Sequence, residues 1–319
     1  MLTTRFTELV PCRFPVQLAA MGGVGTANLA GAVTEAGGLG MVPSGGSPTA
    51  VERMLEELRE RTSGPFGVNF LLPFLHLEGV EIAAESARLV EFFYGPPSSA
   101  LVERVHAAGA LAGWQVGSAE EARAAVGAGC DLIIAQGVEA GGHVRGKAGL
   151  LPLLDQVLTA VDVPVVAAGG IGAGRAVAAA LAAGADAVRV GTRFVAARES
   201  GAHPDYVDAL IRAEADDTVL TEAFSRDWPD APHRVLRSSV EALESGEEDV
   251  VAVRDEGGRE IPVERGSSEP PSRNMRGEIA AMALYAGESV GSVERVQPAA
   301  EIVRELVDEA EALLARGPA

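Results

Sequence analysis

His143 is the residue of this chain best suited to chemistry, because it is a titratable imidazole placed beside bare glycine backbone. It follows Gly141 and Gly142 and comes shortly after residues 131–135, an apolar run typical of a buried parallel strand. In α/β barrels, catalytic groups lie just beyond the C-terminal ends of such strands. An imidazole there can accept a proton or hydrogen-bond an anion near neutral pH. We therefore predict that His143 acts on a flat, anionic ligand; the alternative is an incidental histidine in a glycine-rich surface turn.

Two further glycine clusters come at the ends of the last two predicted strands. Gly169 and Gly170 precede one predicted helix, and Gly191 and Thr192 precede a shorter one. In α/β barrels, the loops after strands seven and eight commonly bind a phosphate through backbone N–H groups at helix N-termini. Glycine lets the backbone approach the anion, and the Thr192 hydroxyl adds a donor. These clusters predict a site for a phosphorylated ligand such as a nucleotide sugar or a flavin mononucleotide; tight turns without a ligand are the alternative.

Groups at other predicted strand ends could surround a flat ring. Met21 and Gly22 follow the first strand and offer backbone, whereas Asn69 and Gln115 offer amide donors and acceptors. Each residue is weak evidence by itself, and Asn69 could instead cap a turn. Taken as a set, they predict one rim of a ligand site.

A recurring junction organises the elements that would carry these residues. Four times, an alanine-rich helical stretch ends in Ala-Gly and runs into a β-prone segment, at Gly37, Gly109, Gly129 and Gly184. Glycine tolerates the left-handed conformation that closes a helix, so each junction predicts a helix end that leads into a strand. With four more segments the chain has eight predicted strands, at residues 16–19, 39–42, 67–70, 89–93, 111–116, 132–135, 163–168 and 187–190. Helical periodicity is found between them, at residues 49–61, 97–108, 118–128, 149–160 and 174–183.

Strands that alternate with helices at this interval indicate parallel pairing with right-handed crossovers. Eight such units predict an α/β fold closed into a (β/α)8 TIM barrel, with a small inserted lid domain. An open doubly wound sheet is the alternative, and its usual nucleotide signature is Gly-x-Gly-x-x-Gly after the first strand. The nearest match, at residues 23–28, lacks the last glycine.

The pattern changes after Ala196. Residues 241–269 contain ten acidic residues against three arginines, without a long apolar period. We interpret residues 205–275 as a partly flexible lid insertion whose charge run is mostly solvated surface, and residues 1–204 and 276–319 as the barrel. Helices are predicted again at residues 276–285 and 298–315. The apolar stripe of the last helix predicts that it packs against the barrel.

Composition limits the expected partners. The chain has 319 residues, 47% of them hydrophobic, and a formal net charge of −19. Such a charge repels nucleic-acid backbones and anionic membranes, and no apolar run approaches the roughly 20 residues that span a bilayer. Without a secretory signal at its N-terminus, the chain is expected to be cytoplasmic. Its two cysteines lack metal-site spacing, so no metal site is expected. The expected partners are small molecules, or other copies of the chain as in a homodimer.

The motifs together resemble one family, the nitronate monooxygenases, formerly 2-nitropropane dioxygenases, which also include flavin-dependent enoyl-acyl-carrier-protein reductases. The resemblance extends over nearly the whole chain, and its most specific part is residues 136–143; the other parts are residues 36–40, 67–69, 168–171, 191–192 and 285–289. It implies an FMN-dependent barrel in which His143 is the catalytic base or orients the substrate. It also implies FMN contacts by Met21, Gly22, Asn69, Gln115, Gln136, Gly141, Gly142, Gly169, Gly170, Gly191 and Thr192.

Two departures from the family pattern bear on the substrate. The segment after the histidine has one residue more than usual before the next glycine. Arg145 and Lys147, on either side of that glycine, are candidates to attract a carboxylate or a phosphate; plain solvated charges are the alternative. The late motif has Glu288 where the family usually has glutamine. Tyr285, Glu288 and Ser289 of this motif are further candidate substrate contacts.

The resemblance also implies a reaction, in which an alkyl nitronate passes an electron to FMN and reacts with O2 to give a carbonyl compound and nitrite. His143 would accept a proton or hydrogen-bond the anion. Two alternatives stay open: an NAD(P)H-dependent flavin reductase of enoyl thioesters or quinones, and a non-catalytic flavin-binding sensor. FMN is the expected cofactor in each case, with NAD(P)H in addition for the reductase.

Overall fold

The computed structural model describes residues 2–316. Met1, which begins the predicted barrel range 1–204, and residues 317–319, which close the range 276–319, lie outside the described residues. Its strands are β1 (Val16–Leu18), β2 (Gly40–Pro43), β3 (Phe66–Leu71), β4 (Leu89–Phe93), β5 (Leu111–Val116), β6 (Leu132–Gln136), β7 (Gly142–His143), β8 (Val165–Ala168), β9 (Ala187–Val190), β10 (Thr218–Thr221), β11 (His233–Leu236), β12 (Val250–Glu256), β13 (Arg259–Glu264) and β14 (Met275–Gly277). Its helices are α1 (Arg5–Leu9), α2 (Ala27–Glu35), α3 (Pro48–Arg59), α4 (Leu77–Ala84), α5 (Ser99–Ala107), α6 (Ala119–Gly127), α7 (Leu150–Ala160), α8 (Gly174–Ala182), α9 (Thr192–Val195), α10 (Pro204–Arg212), α11 (Arg237–Ser245) and α12 (Ala299–Leu314).

Eight parallel strands form the barrel. Their order is β1–β9–β8–β6–β5–β4–β3–β2, and the two end strands meet through a parallel bridge between Gln17 and Leu39. The Leu18 N–H donates to the Leu39 carbonyl at 2.9 Å, and the Leu39 N–H donates to the Val16 carbonyl at 2.8 Å. The (β/α)8 barrel is thus confirmed with all eight predicted strands, and the open doubly wound sheet is wrong.

The four Ala-Gly junctions explain how a helix leads into the next strand. Gly37, Gly109, Gly129 and Gly184 have φ values of 100°, 86°, 100° and 104°. This left-handed region is open to glycine and costs other residues about 1–2 kcal/mol. Each of the four glycines ends a helical stretch and begins the short connection to a barrel strand, as the sequence predicts.

The last helix packs against the barrel, as its apolar stripe predicts. In α12, Ile302, Val303, Leu306 and Val307 are buried in the main hydrophobic core. Gly174, at the start of α8, allows a close approach of the two helices, because a Cβ there would lie 2.7 Å from the Leu306 carbonyl oxygen. This glycine therefore serves helix packing.

Residues 205–275, the predicted insertion, contribute to two small antiparallel sheets. β10 pairs with β11, and β11 also pairs with β7, which places His233 opposite His143. β12 pairs with both β13 and β14 in a second sheet. The insertion therefore contacts the His143 segment directly through backbone pairing. Its separation from the barrel as a domain stays a prediction.

The helix predicted at residues 276–285 is wrong. The segment begins in β14, forms a 3-10 turn at Ile279–Ala281 and continues without regular helix. Gly277 has φ 139°, and a Cβ there would lie 2.4 Å from the Val251 carbonyl oxygen, so the chain lies tightly against β12. Residues 281–284 are all buried, whereas a surface helix exposes one face. Tertiary packing overrides the local helix propensity.

Across residues 2–316, no helix combines the length and the apolar character needed to cross a bilayer. In the same part of the chain, no group of three or more His, Cys, Asp or Glu side chains is placed to hold a metal ion.

Candidate active site

A cavity of about 440 Å³ opens at the C-terminal ends of the barrel strands, where α/β barrels have their ligand sites. Its volume is within the range of small-molecule and cofactor sites. The candidate catalytic residue His143 lines it, and so do Tyr285 and Ser289 from the late motif. Every residue for which the family resemblance implies a flavin contact lines it as well: Met21, Gly22, Asn69, Gln115, Gln136, Gly141, Gly142, Gly169, Gly170, Gly191 and Thr192.

Three candidate substrate residues lie outside the cavity wall. Arg145 is exposed, and its Nε donates to a Glu121 carboxylate oxygen at 2.6 Å. Lys147 is exposed as well. Glu288 forms an ion pair with Arg234 at 3.2 Å. Substrate contact by these three charges stays a prediction.

Backbone pairing and ring packing hold His143 in place. It lies in β7 opposite His233, and the Gln136 side-chain amide donates to the His143 carbonyl oxygen at 3.0 Å. Its ring stacks on the Trp228 indole, with centroids 4.0 Å apart and planes 28° apart. His143 Nε2 is buried and has no hydrogen-bond partner among the described residues. A ligand that enters the cavity can supply that partner.

Burial keeps His143 uncharged. Desolvation, together with the neighbouring His233, lowers the pKa of the His143 imidazole from 6.5 to about 3. Burial also lowers the pKa of His233. The His233 ring accepts from the Phe224 N–H at Nε2 and lies 2.9 Å from the Ala231 carbonyl at Nδ1, so the neutral ring protonated at Nδ1 satisfies both contacts. Both imidazoles are therefore neutral at pH 7.

Two tyrosines complete the surroundings of His143 without adding charge. The Tyr94 and Tyr285 ring centroids lie 6.0 and 5.6 Å from that of His143. Burial raises the pKa of Tyr94 to about 12, and it also raises the pKa of Tyr285, whose hydroxyl donates to the Ser268 carbonyl at 2.7 Å. Tyr94 has φ 67°, a left-handed conformation that is rare for a residue with a large side chain. Backbone strain of this kind concentrates at functional sites.

A buried polar network reaches the cavity wall through Asn69, Gln115 and Arg189. Arg189 pairs with Glu91 and donates to Gln115 Oε1 at 2.6 Å and to Gln17 Oε1 at 3.0 Å. Asn69 Nδ2 donates to the second Glu91 oxygen at 3.4 Å. These five side chains come from five different barrel strands. The network holds in place the Asn69 and Gln115 amides, which line the cavity.

Three members of this network, Gln17, Glu91 and Arg189, were not predicted from the sequence. The signal that could have found them is a polar or charged residue inside an otherwise apolar strand, as in residues 188–190. Trp228 was missed too, because it belongs to the insertion and reaches His143 only through tertiary structure.

The polar atoms of the cavity wall suit the edge of a flavin ring, which presents carbonyl oxygens and ring nitrogens beside an N–H donor. Gln136 Oε1 is a buried acceptor without a partner in the described part of the chain. Gln115 uses its oxygen for Arg189, so its amide N–H group is the part left to meet a ligand. The wall therefore offers both an acceptor and a donor to a ring, and these residues fit a flavin.

Bare backbone forms another part of the wall. A Cβ at Gly22 or Gly142 would meet no atom within 4 Å, so neither position is filled by the protein itself. Gly169 and Gly170 have φ 107° and 66°, left-handed conformations that turn the chain sharply at the end of β8. α9 begins at Thr192, and the first N–H groups of a helix have no partner within the helix. This backbone can approach a phosphate closely.

Close backbone contacts join the loops of the site. A Cβ at Gly141 would lie 2.5 Å from the Gly287 nitrogen, and a Cβ at Gly287 would lie 2.8 Å from the Gly141 nitrogen. The Gly287 N–H donates to Thr192 Oγ1 at 3.0 Å. The Thr192 hydroxyl thus acts as an acceptor here and keeps its proton for another partner. The late motif is therefore part of the same site as the two earlier glycine loops.

Comparison with known proteins identifies the family. The family model for nitronate monooxygenase matches residues 3–78 and 76–309. The chain belongs to the nitronate monooxygenase family. As a member of this family it is a flavin-dependent oxidoreductase that acts on small molecules.

Individual relatives of this nitronate monooxygenase family member carry different names. The chain is 33% identical over 269 residues to a probable nitronate monooxygenase of Staphylococcus aureus (strain Newman), which covers 69% of this chain and 76% of the relative. It is 38% identical over 243 residues to (3aS,4S,5R,7aS)-5-hydroxy-7a-methyl-1-oxo-octahydro-1H-indene-4-carboxyl-CoA dehydrogenase of Rhodococcus jostii (strain RHA1). This match covers 75% of this chain and 67% of the relative. FabK from Thermotoga maritima has a similar structure, with a TM-score of 0.80, 32% identity, and 99% and 98% of the two chains covered.

Proposed function

We propose that this family member uses FMN to oxidise an alkyl nitronate with O2, giving a carbonyl compound and nitrite. The observation that carries the proposal is His143, a neutral imidazole whose buried Nε2 is free for a ligand, beside a cavity that fits a flavin. The family match supports this reaction, and so does the relative named as a probable nitronate monooxygenase.

FMN, when bound, would supply the ring that accepts electrons and reacts with oxygen. Under this proposal the ring lies against the strand-end residues Met21, Gly22, Asn69, Gln115, Gln136, Gly141 and Gly142. The phosphate lies against the backbone of Gly169, Gly170, Gly191 and Thr192. Arg189 contributes indirectly, because it fixes the Gln115 amide that meets the ring.

His143 would bind the substrate anion through its imidazole. A nitronate next to the ring favours the protonated form, so substrate binding raises the pKa of His143 above its low value in the free protein. The imidazole would then hold a proton taken up from solvent in a hydrogen bond to a nitronate oxygen, and bound FMN would be the electron acceptor. The Trp228 and Tyr94 rings exclude water from this contact, which strengthens it.

Anaerobic mixing of FMN-loaded protein with propionate 3-nitronate tests the proposal. We expect the flavin to bleach, and nitrite to form once O2 is admitted. His143→Ala should lower turnover by about 10²–10⁴-fold while the flavin absorption spectrum of the variant stays that of the wild type. Turnover within a few-fold of wild type would contradict the role of His143. A flavin that no nitronate bleaches would contradict the reaction.

A second candidate is the NAD(P)H-dependent reduction of a conjugated thioester. Charge favours it, because the imidazoles of His143 and His233 and the phenols of Tyr94 and Tyr285 are neutral at pH 7. The Arg189 guanidinium, which lines the cavity, is paired with Glu91. An uncharged substrate suits such a cavity. The Rhodococcus jostii relative is named for a CoA-linked compound, and FabK matches over nearly the whole chain.

The same anaerobic experiment separates the candidates. Rapid bleaching by NADH or NADPH, but not by a nitronate, favours the reductase. Protein that stays yellow with both kinds of reductant and binds a partner only in one redox state would be a flavin-binding sensor.

A further inference from the structure

Two aromatic side chains, Phe74 and Trp228, lie where the cavity meets the surface, and we call them the entrance pair. Phe74 lies in the 3-10 turn directly after β3 and is 48% exposed, whereas Trp228 lies in the loop between β10 and β11 and is 7% exposed. Their ring centroids are 5.1 Å apart at an interplanar angle of 82°, an edge-to-face contact. Both residues line the cavity. The entrance pair therefore faces solvent on one side and the site on the other.

Trp228 extends this apolar surface as far as the candidate catalytic residue. Its indole stacks on His143 and also contacts the Tyr94 ring, at a centroid distance of 4.6 Å. Leu71 and Phe93 add further apolar lining to the cavity. A ligand that passes from solvent to the imidazole therefore moves along carbon surface.

Phe74 is the exposed end of this surface, since 48% of it is open to solvent. An exposed apolar side chain that also lines a cavity is placed to contact an apolar group of a bound ligand. Because Phe74 lines the cavity while half of it faces solvent, such a group would extend from the reacting centre toward the outside.

We propose that the entrance pair binds an apolar chain of several carbons carried by the substrate of this site. The inference rests on the proposed function in one respect, namely that the reacting head group lies at His143. It adds the substrate class, which is a compound with a long alkyl or acyl tail. Phe74 is assigned to the outer methylenes of that tail, and Trp228 to the part next to the head group.

Straight-chain carboxylates from propionate to decanoate are the probe, with the matching primary amides as neutral counterparts. Both head groups are planar, as a nitronate is, and neither is turned over. In calorimetric titrations of FMN-loaded protein, affinity should rise with each methylene, by as much as about fourfold for full burial, or about 0.8 kcal/mol. In Phe74→Ser the gain from the outer methylenes should disappear. Leu151→Ser, which changes a 60% exposed leucine of α7, is the matched control and should keep the wild-type series.

Trp228 has its own test. Trp228→Ala opens space over the imidazole and should admit α-branched carboxylates and amides that the wild type binds at least tenfold more weakly than straight ones. Trp228→Phe keeps a ring at this buried position and should still discriminate against them.

Affinities that stay flat with chain length, or a series in Phe74→Ser as steep as in the wild type, would overturn the assignment of the entrance pair. The titrations need no turnover. If affinity rises with chain length in a protein that oxidises no nitronate, the proposed reaction is wrong and the assignment of the entrance pair still holds.

Discussion

Arg189 and Glu91 form an ion pair in the interior of the barrel, where their side chains are 7% and 0% exposed. Taking both charges out of water is costly, and a buried pair of this kind is weak evidence for stability. Its hydrogen bonds to Gln115 and Asn69 give it another role, since both amides line the cavity. The pair fixes the direction in which these amides face the cavity.

Removing one partner of this pair should cost more than removing both. Arg189→Met leaves the Glu91 carboxylate buried without a cation, which typically costs about 3–5 kcal/mol in the free energy of unfolding. The double variant Arg189→Met/Glu91→Gln has no buried charge and should recover part of that loss. Urea unfolding of the two single variants and the double variant measures the coupling. A double variant whose loss equals the sum of the single losses would show that the two charges are independent.

Acid should destabilise the wild type more than a His143→Phe variant. Burial lowers the pKa of His143 from 6.5 to about 3 in the folded protein, so below pH 6.5 the unfolded chain binds a proton that the folded chain does not. Stability is therefore lost as pH falls from about 6.5 toward 3, by about 1.4 kcal/mol per unit. Between pH 6.5 and pH 5 the wild type should lose about 2 kcal/mol more than the variant in urea unfolding. Parallel losses would contradict the low pKa.

Gly22→Ala should weaken FMN binding without destabilising the apoprotein. The new Cβ would meet no atom of the protein within 4 Å, and alanine restricts the unfolded chain, so the free energy of unfolding should be unchanged or rise by up to about 1 kcal/mol. A flavin lying on this backbone would collide with the methyl group, and its dissociation constant should rise at least tenfold in fluorescence titrations. Gly127→Ala, at the end of α6 and also without a neighbour within 4 Å, is the matched control. Equal FMN affinity in both variants would place the ring elsewhere.

Tyr94→Gly should be more stable than Tyr94→Ala. Both variants lose the ring that packs on Trp228, but alanine keeps the strain of φ 67° and glycine does not. The left-handed conformation costs a residue with a Cβ about 1–2 kcal/mol, and the greater freedom of glycine in the unfolded chain offsets part of this. In thermal unfolding, the free energy of unfolding of the glycine variant should be about 1 kcal/mol higher than that of the alanine variant. The reverse order would mean that this backbone is not strained.

The barrel could be predicted because its signals are local. At Gly129, for example, one Ala-Gly step indicates both the end of α6 and the start of β6, and the same reasoning applies at the other three junctions. Once the strand order is known, the barrel rule brings the loops at Gly169 and Gly191 to one edge. The gathering of the predicted site residues around one cavity follows from this topology.

The features that were not predicted from the sequence depend on contacts between distant segments. Trp228 meets His143 because β11 pairs with β7, and no local period carries that information. The helix predicted at residues 276–285 is wrong for a related reason, since the segment is buried against β12. Arg189 is different, because a charge inside an apolar strand is visible in the sequence. Only its pairing with Glu91 depends on the fold.

The join between β1 and β2 is the least connected part of the ring of strands. Among the described residues, two backbone hydrogen bonds join them through Leu39, whereas β3 and β4 share a ladder of five paired residues. Local opening of the sheet should begin at this seam, with deuterium entering the Leu39 amide early. Met21 follows β1 and lines the cavity. A molecule bound against Met21 would therefore stabilise the contact between β1 and β2, and its release would make the barrel easier to open there.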